Sequence, residues 1–129
     1  MLELLVVITI LGALAAVVGV VAINQLGRAR SDTAKLQIDS ISTGLELFYL
    51  DYGRYPTQDE GLTALIEAPG EAEKWRGPYL QKKEKAITDP WGRVYLYRSP
   101  GQHGKFDLYS LGADNTEGGE DEDSDVTSW

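Results

Sequence analysis

The side chains best equipped for chemistry crowd toward the C-terminus. From Leu111 to Asp125 the chain reads LGADNTEGGEDEDSD, in which Asp114, Asp121, Asp123 and Asp125 are spaced by flexible glycines. Hard carboxylate oxygens on a bendable loop suit Ca²⁺. Asp121-x-Asp123-x-Asp125 imitates the start of an EF-hand loop, but Val126 stands where that loop needs glycine, and no glutamate follows at its twelfth position. The segment is therefore not an EF-hand. The alternative to a calcium loop is a solvated acidic tail, although such a tail would hardly end in Val126 and Trp129.

Catalytic chemistry finds less support. His103 is the only histidine and lies between glycines in a turn-like stretch, and cysteine is absent. Neither a Ser/His/Asp triad nor a zinc site has obvious partners. No acid and base are paired by spacing, so the chain reads as a non-enzyme. A second isolated charge, Glu3, stands at the edge of a long apolar run, where a carboxylate is costly unless it is paired or reaches the lipid interface. It either snorkels and favours the helix N-terminus or meets a partner charge.

These residues depend on three elements for their placement. Leu4 to Ile23 (LLVVITILGALAAVVGVVAI) has Thr9 as its only polar side chain, and as a helix it matches a hydrocarbon core of about 30 Å. No basic segment precedes it, and the run exceeds the apolar stretch of a cleavable signal, so a retained transmembrane anchor is expected. Ala34, Ile38, Ile41, Leu45, Phe48 and Tyr52 then recur at spacings of four and three, one apolar helical face. With no proline between Met1 and Tyr55, one helix of about 75 Å is possible at ~1.5 Å per residue. Asn24 to Gly27 is the expected place for a bend or local melting, because glycine weakens a helix. Gly53 and Pro56 should end it.

The remainder should form a small α+β domain. Asp59 to Ala68 reads as a short helix stopped by Pro69-Gly70, and Val94 to Arg98 and Lys105 to Ser110 as an antiparallel hairpin around Ser99-Pro-Gly-Gln-His-Gly104. A third strand is expected near Tyr79 to Lys85. The resulting division is an anchor over 1–24 and a globular part over 25–129, with helix continuing over 28–52, a short helix over 59–68, the hairpin over 94–110 and an acidic loop over 111–129. The sheet packs on the distal half of the long helix.

Charge narrows the partners. Twelve Lys and Arg against twenty Asp and Glu leave a net charge of −8, and no basic residue occurs after Lys105. Nucleic-acid binding needs a basic footprint, and Lys82, Lys83 and Lys85 are interrupted by Glu84 without interleaved aromatics. Nucleic acid is not an expected partner. The absence of cysteine excludes disulfides without assigning a compartment.

The opening Met1-Leu-Glu-Leu-Leu-Val-Val-Ile8 resembles the mature start of type IV pilins and pseudopilins, where an acid precedes a long apolar helix. Asp89-Pro-Trp-Gly92, Tyr97-Arg-Ser-Pro-Gly-Gln-His-Gly104 and Phe106-Asp-Leu-Tyr-Ser-Leu-Gly-Ala-Asp114 resemble more specifically the major pseudopilins of bacterial type II secretion. That resemblance implies a filament subunit anchored once in the inner membrane, with its globular domain in the periplasm, polymerising into a helical pseudopilus that drives export across the outer membrane. It implies minor pseudopilins, an assembly platform with its ATPase and a prepilin peptidase as partners. It also implies a leader peptide and an N-methylated phenylalanine upstream of Met1, which resembles the third mature residue.

In the last loop the resemblance implies a calcium site from the Leu111 carbonyl, Asp114, Asp123 and Asp125, with Asp121 a less exact match to the small residue often found there. Many relatives carry a proline near Val20, a role left here to Gly19. Two other readings remain open, a type IV pilin and a membrane-tethered calcium-binding module. Type IV pilins commonly close the C-terminal loop with a disulfide, which this chain lacks.

If Glu3 pairs across a subunit contact, Glu3→Ala will leave the monomer inserted and folded while filament yield, counted by electron microscopy of overproducing cells, falls sharply. Undiminished filaments would leave only the snorkelling role.

Overall fold

The computed structural model describes residues 1–70, 73–81 and 83–129. One helix, α1 (Leu2–Tyr52), is unbroken for 51 residues. Met1 to Leu26 is exposed on every face, and the most apolar 18-residue window of α1 has none of its residues buried. A helix apolar all round with nothing packed on it calls for a non-aqueous surrounding. Further along only one stripe is buried: Ala34, Ile38, Ile41, Leu45 and Phe48, as their spacing requires. Gly53 closes the helix in the left-handed region at φ 74°, its amide donating to Tyr49 O over 2.7 Å.

The local melting expected over Asn24 to Gly27 is not found, since the helix passes through it without interruption. Gly27 is the first buried residue of α1, and Glu122 from the far end of the chain covers it. Tertiary contact here offsets the helix-weakening effect of glycine. Gly44 was not part of the expected apolar face, yet it is buried too. An added Cβ would lie 3.2 Å from Leu80 Cδ2, so the missing side chain lets Leu80 settle onto the helix.

Three strands make an antiparallel sheet in the order β1-β2-β3: β1 (Leu96–Arg98), β2 (Asp107–Ser110) and β3 (Val126–Thr127). In β1–β2, Leu96 faces Tyr109 and Arg98 faces Asp107; in β2–β3, Ser110 faces Val126. The hairpin is shorter than the expected 94–110 ladder. Val94 makes only an isolated bridge to Thr88, and the Lys105 carbonyl accepts from Gly101 within the turn.

The expected strand over Tyr79–Lys85 is also corrected: Tyr79 to Gln81 is not extended into a ladder, Lys82 lies outside the described residues, and Lys83–Ile87 is a 3-10 helix. Tyr79 is tied instead to the Leu65 carbonyl through its amide and to Asp51 through its hydroxyl. Its place in the sheet is taken by β3, the end of the acidic segment. The helix expected over 59–68 shrinks to a 3-10 turn, Leu62–Leu65. Of the inward face expected there, Leu62 and Leu65 are buried and Ile66 only partly, while Ala64 is buried as well.

The core joins the α1 stripe to Leu62, Leu65, Leu80, Ile87, Tyr95, Tyr97, Leu108 and Val126. Most polar tips find partners within it, the Tyr52 hydroxyl being buried without one. Tyr97 Oη donates to Pro56 O over 2.7 Å and Trp75 Nε1 to Ala64 O over 2.7 Å. The Gln58 amide caps the outer edge of β1, donating to Tyr97 O at 2.8 Å and accepting from Ser99 N at 3.0 Å. It thereby stands in for a neighbouring strand.

Phe48→Ala will destabilise the domain by about 3–5 kcal/mol, the range for emptying a buried aromatic site. Leu50→Ala, on the exposed face of the same turn, will change it by less than about 0.5 kcal/mol. Chemical denaturation of the full chain in detergent checks both, and equal effects would contradict this assignment of faces.

Candidate functional site

The C-terminal loop is positioned by the turn Asp89-Pro-Trp-Gly92. Asp89 is buried; its Oδ1 accepts from Trp91 N at 3.0 Å and Arg93 N at 2.8 Å, and its Oδ2 from Ser110 Oγ at 2.7 Å. Ser110 Oγ in turn accepts from Gly112 N at 3.3 Å, and the Arg93 guanidinium donates to Gly112 O. One carboxylate thus shapes a turn and fixes the residue at which the sheet hands over to the loop.

Beyond it the chain doubles back on itself. Gly112 has φ 75°, and a Cβ there would lie 2.7 Å from Ser124 O; Gly119 has φ 97°, with Asp123 O only 2.5 Å from the corresponding point. These two glycines are required by close backbone approach as well as by conformation. Asp121–Asp123 forms a single 3-10 turn, tied back by Ala113 N donating to Glu122 O at 3.0 Å. The segment 111–129 is therefore a folded loop plus a strand rather than an open acidic tail.

The five residues expected at a metal are placed unequally. Leu111 and Asp125 line one cavity together with Glu117 and Gly118. Asp125 Oδ2 accepts from Gly118 N at 3.2 Å, while its Oδ1 is buried without a hydrogen-bond partner. Asp114 turns back on its own loop, its Oδ1 accepting from Thr116 N at 3.1 Å. Asp123 lies in the 3-10 turn, with its carbonyl against Gly119. Asp121 lines a different cavity, against α1 beside Ile23, Asn24 and Gly27. Among the described residues no three acidic or histidine side chains converge closely enough to hold an ion. The donor chemistry nevertheless fits a hard cation: every candidate ligand is an oxygen, and one buried carboxylate oxygen is left unsatisfied.

Glu122 does more than the acids around it. Its Oε1 accepts from Trp91 Nε1 at 2.9 Å and from Arg30 Nη1 at 3.1 Å, and hydrogen bonds from that indole and that guanidinium hold its carboxyl below the ordinary range. In sequence it is one acid in a run of four, Glu120 to Asp123, so nothing singled it out. The only hint was a glycine at 27 in an otherwise helical stretch.

His103 serves packing. Asp107, buried at its side chain, accepts from Gln102 N at 2.8 Å, His103 N at 3.0 Å and His103 Nδ1 at 3.2 Å. The imidazole stacks on Trp129 with ring centres 3.9 Å apart, and Trp129 meets Tyr109 edge-on at 5.7 Å. Hairpin turn and C-terminus are clamped together. Glu3 stands exposed in the first turn of α1.

A family model described as type II secretion system (T2SS), protein G, matches residues 21–129. The chain belongs to the type II secretion system protein G family. It is 41% identical over 133 residues to the type II secretion system core protein G of Pseudomonas aeruginosa, covering 100% of this chain and 92% of that one. To the protein of the same name from Vibrio cholerae it is 39% identical, covering 100% and 88%. The fold is similar to the crystal structure of the major pseudopilin from the type 2 secretion system of enterohaemorrhagic Escherichia coli, with a TM-score of 0.66 and 28% identity over 81% of this chain and 87% of that one. The protein G assignment agrees with an α+β fold of long apolar helix and small antiparallel sheet, and with a structural rather than a catalytic family.

Burial by itself raises the Asp107 carboxyl, but hydrogen bonds from the Gln102 and His103 amides, then from the His103 ring and its charge, outweigh it and lower the value. With the folded value below that of the unfolded chain, stabilisation is complete above pH ~4 and is lost as pH falls through the folded value. Asp107→Asn will therefore lower the melting temperature at neutral pH and weaken its decline below pH ~4. Melting curves from neutral to acid pH test this; an unchanged acid limb would show that other carboxylates carry it.

Proposed function

We propose that this protein G family member is the repeating subunit of a pseudopilus, inserted in the bacterial inner membrane by the apolar half of α1 and carrying its domain in the periplasm. The single supporting observation is the form of α1 itself. An apolar segment exposed on all faces runs without a joint into a helix that forms the spine of the domain. Anchor helices of many copies can bundle in a filament core while the domains form its outer wall. Assembly would then require the partners such filaments use: minor pseudopilins, a membrane platform with its ATPase, and a prepilin peptidase. The filament would act on exported proteins as a piston or carrier, without chemistry of its own.

Ca²⁺ is proposed as the ligand of the C-terminal loop, held by the Leu111 carbonyl, Asp114, Asp123 and Asp125, with Asp121 as a further acid. The ion would supply charge neutralisation among carboxylates that otherwise repel. The unpartnered Asp125 Oδ1 supports this reading.

Melting of the full chain in detergent with millimolar Ca²⁺ and with excess chelator tests the ligand. A free-ion concentration a hundredfold above Kd adds about 2.7 kcal/mol, or roughly 10–20 °C for a domain of this size. Asp125→Ala will abolish the difference. Equal melting in both buffers would refute calcium, and equal stabilisation by Mg²⁺ would make the loop a generic acidic cluster. Filament reading and ligand reading separate cleanly, since filaments on overproducing cells test the first whatever the second shows.

A further inference from the structure

We infer that Glu122 is a latch by which the C-terminal loop holds α1 straight where the helix leaves the membrane-spanning segment. Its Oε1 joins three distant parts of the chain: the 3-10 turn Asp121–Asp123 that carries it, the Asp89-Pro-Trp-Gly92 turn through Trp91 Nε1 at 2.9 Å, and the helix through Arg30 Nη1 at 3.1 Å. The backbone of the same residue holds the start of the loop, accepting from Ala113 N at 3.0 Å. On the helix the carboxylate rests over Gly27, where an added Cβ would lie 3.0 Å from Oε2 and 3.3 Å from Glu122 Cβ and Cδ.

This contact differs from ordinary core packing. The core stripe of α1 begins seven residues later, at Ala34. Between the turn and the helix lies a cavity of about 410 Å³ lined by Ile23, Asn24, Gly27 and Asp121. Arg30 and Glu122 side chains remain 42% and 30% exposed. One polar side chain therefore fastens the turn there, and it can let go without opening the core. The segment it fastens, Asn24 to Gly27, is the stretch of α1 whose composition most favours melting, and it remains helical beneath the latch. Glu122 sits between Asp121 and Asp123, so any ligand that orders the loop also orders the latch. The latch rests on Glu122, Arg30, Trp91 and Gly27, none of which is a proposed calcium ligand. Glu122 is in this sense a positioning residue: loop order is transmitted to the stem, and release of the loop frees the stem to bend.

Amide hydrogen exchange of the full chain in detergent micelles, read peptide by peptide, tests the latch. Glu122→Ala will speed exchange over 24–30 roughly tenfold, the loss expected for one charge-assisted hydrogen bond, and leave 38–48 unchanged. Glu122→Gln, which keeps the shape and the acceptor for Trp91, will give a smaller increase. Gly27→Ala, which favours helix but crowds Glu122, will slow exchange over 24–30 more in the Glu122→Ala background than in the natural chain, a non-additivity that direct contact requires. Unchanged exchange over 24–30 in Glu122→Ala overturns the inference. So does an equal effect of Gly27→Ala in both backgrounds, or faster exchange spread through 38–48, which would make Glu122 a general stability residue.

Discussion

Everything in this molecule depends on the change of pattern along one uninterrupted helix. Up to Leu26 no face of α1 is covered; beyond Gly27 a stripe of Ala34, Ile38, Ile41, Leu45 and Phe48 is shut away from solvent. One half of this helix suits lipid and the other a protein core. That follows from helix geometry, because side chains at spacings of three and four share a face and no joint interrupts the hydrogen-bond ladder. Such continuity suits a pseudopilin, the family fold that this chain shares.

A domain this small has little apolar area with which to stabilise itself, and it has no disulfide. It relies on polar groups that each satisfy several partners. Asp89 holds two amides and a hydroxyl, Asp107 holds two amides and an imidazole, and Gln58 seals the edge of β1. Each would be costly if half-satisfied, and together they place the hairpin, the Asp89 turn and the C-terminal loop in one register. The aromatic residues complete this frame. Phe48 and Tyr52 stack at 4.2 Å at the end of α1, and His103 and Trp129 stack at the hairpin turn.

The C-terminal acids divide into structural and available groups once folded. Glu122 is engaged with Arg30 and Trp91, whereas Asp125 keeps a buried oxygen without a partner. Residues of one type within a run of five positions thus have opposite duties, and the backbone of a single 3-10 turn separates them. The loop is held to the rest of the domain by Arg93 at Gly112 and by Trp91 at Glu122. It is also the part that touches the stem.

The sequence by itself determined the anchor, the α1 core stripe, the glycine cap at Tyr52–Gly53, the hairpin and the family, because each is a local pattern of period, turn residue or contiguous motif. Only the tertiary structure decided that Val126 and Thr127, rather than Tyr79 to Lys85, complete the sheet: strand partners are chosen by which edge is free and which side chain can be buried. The same holds for the unbroken helix over Asn24 to Gly27 and for the contacts of Glu122. Helix propensity pointed to a weak point, and a contact from 95 residues away (Gly27 to Glu122) covers it. Period and propensity act over one or two turns of chain, so a residue whose duty lies across the whole sequence carries no local signal of it.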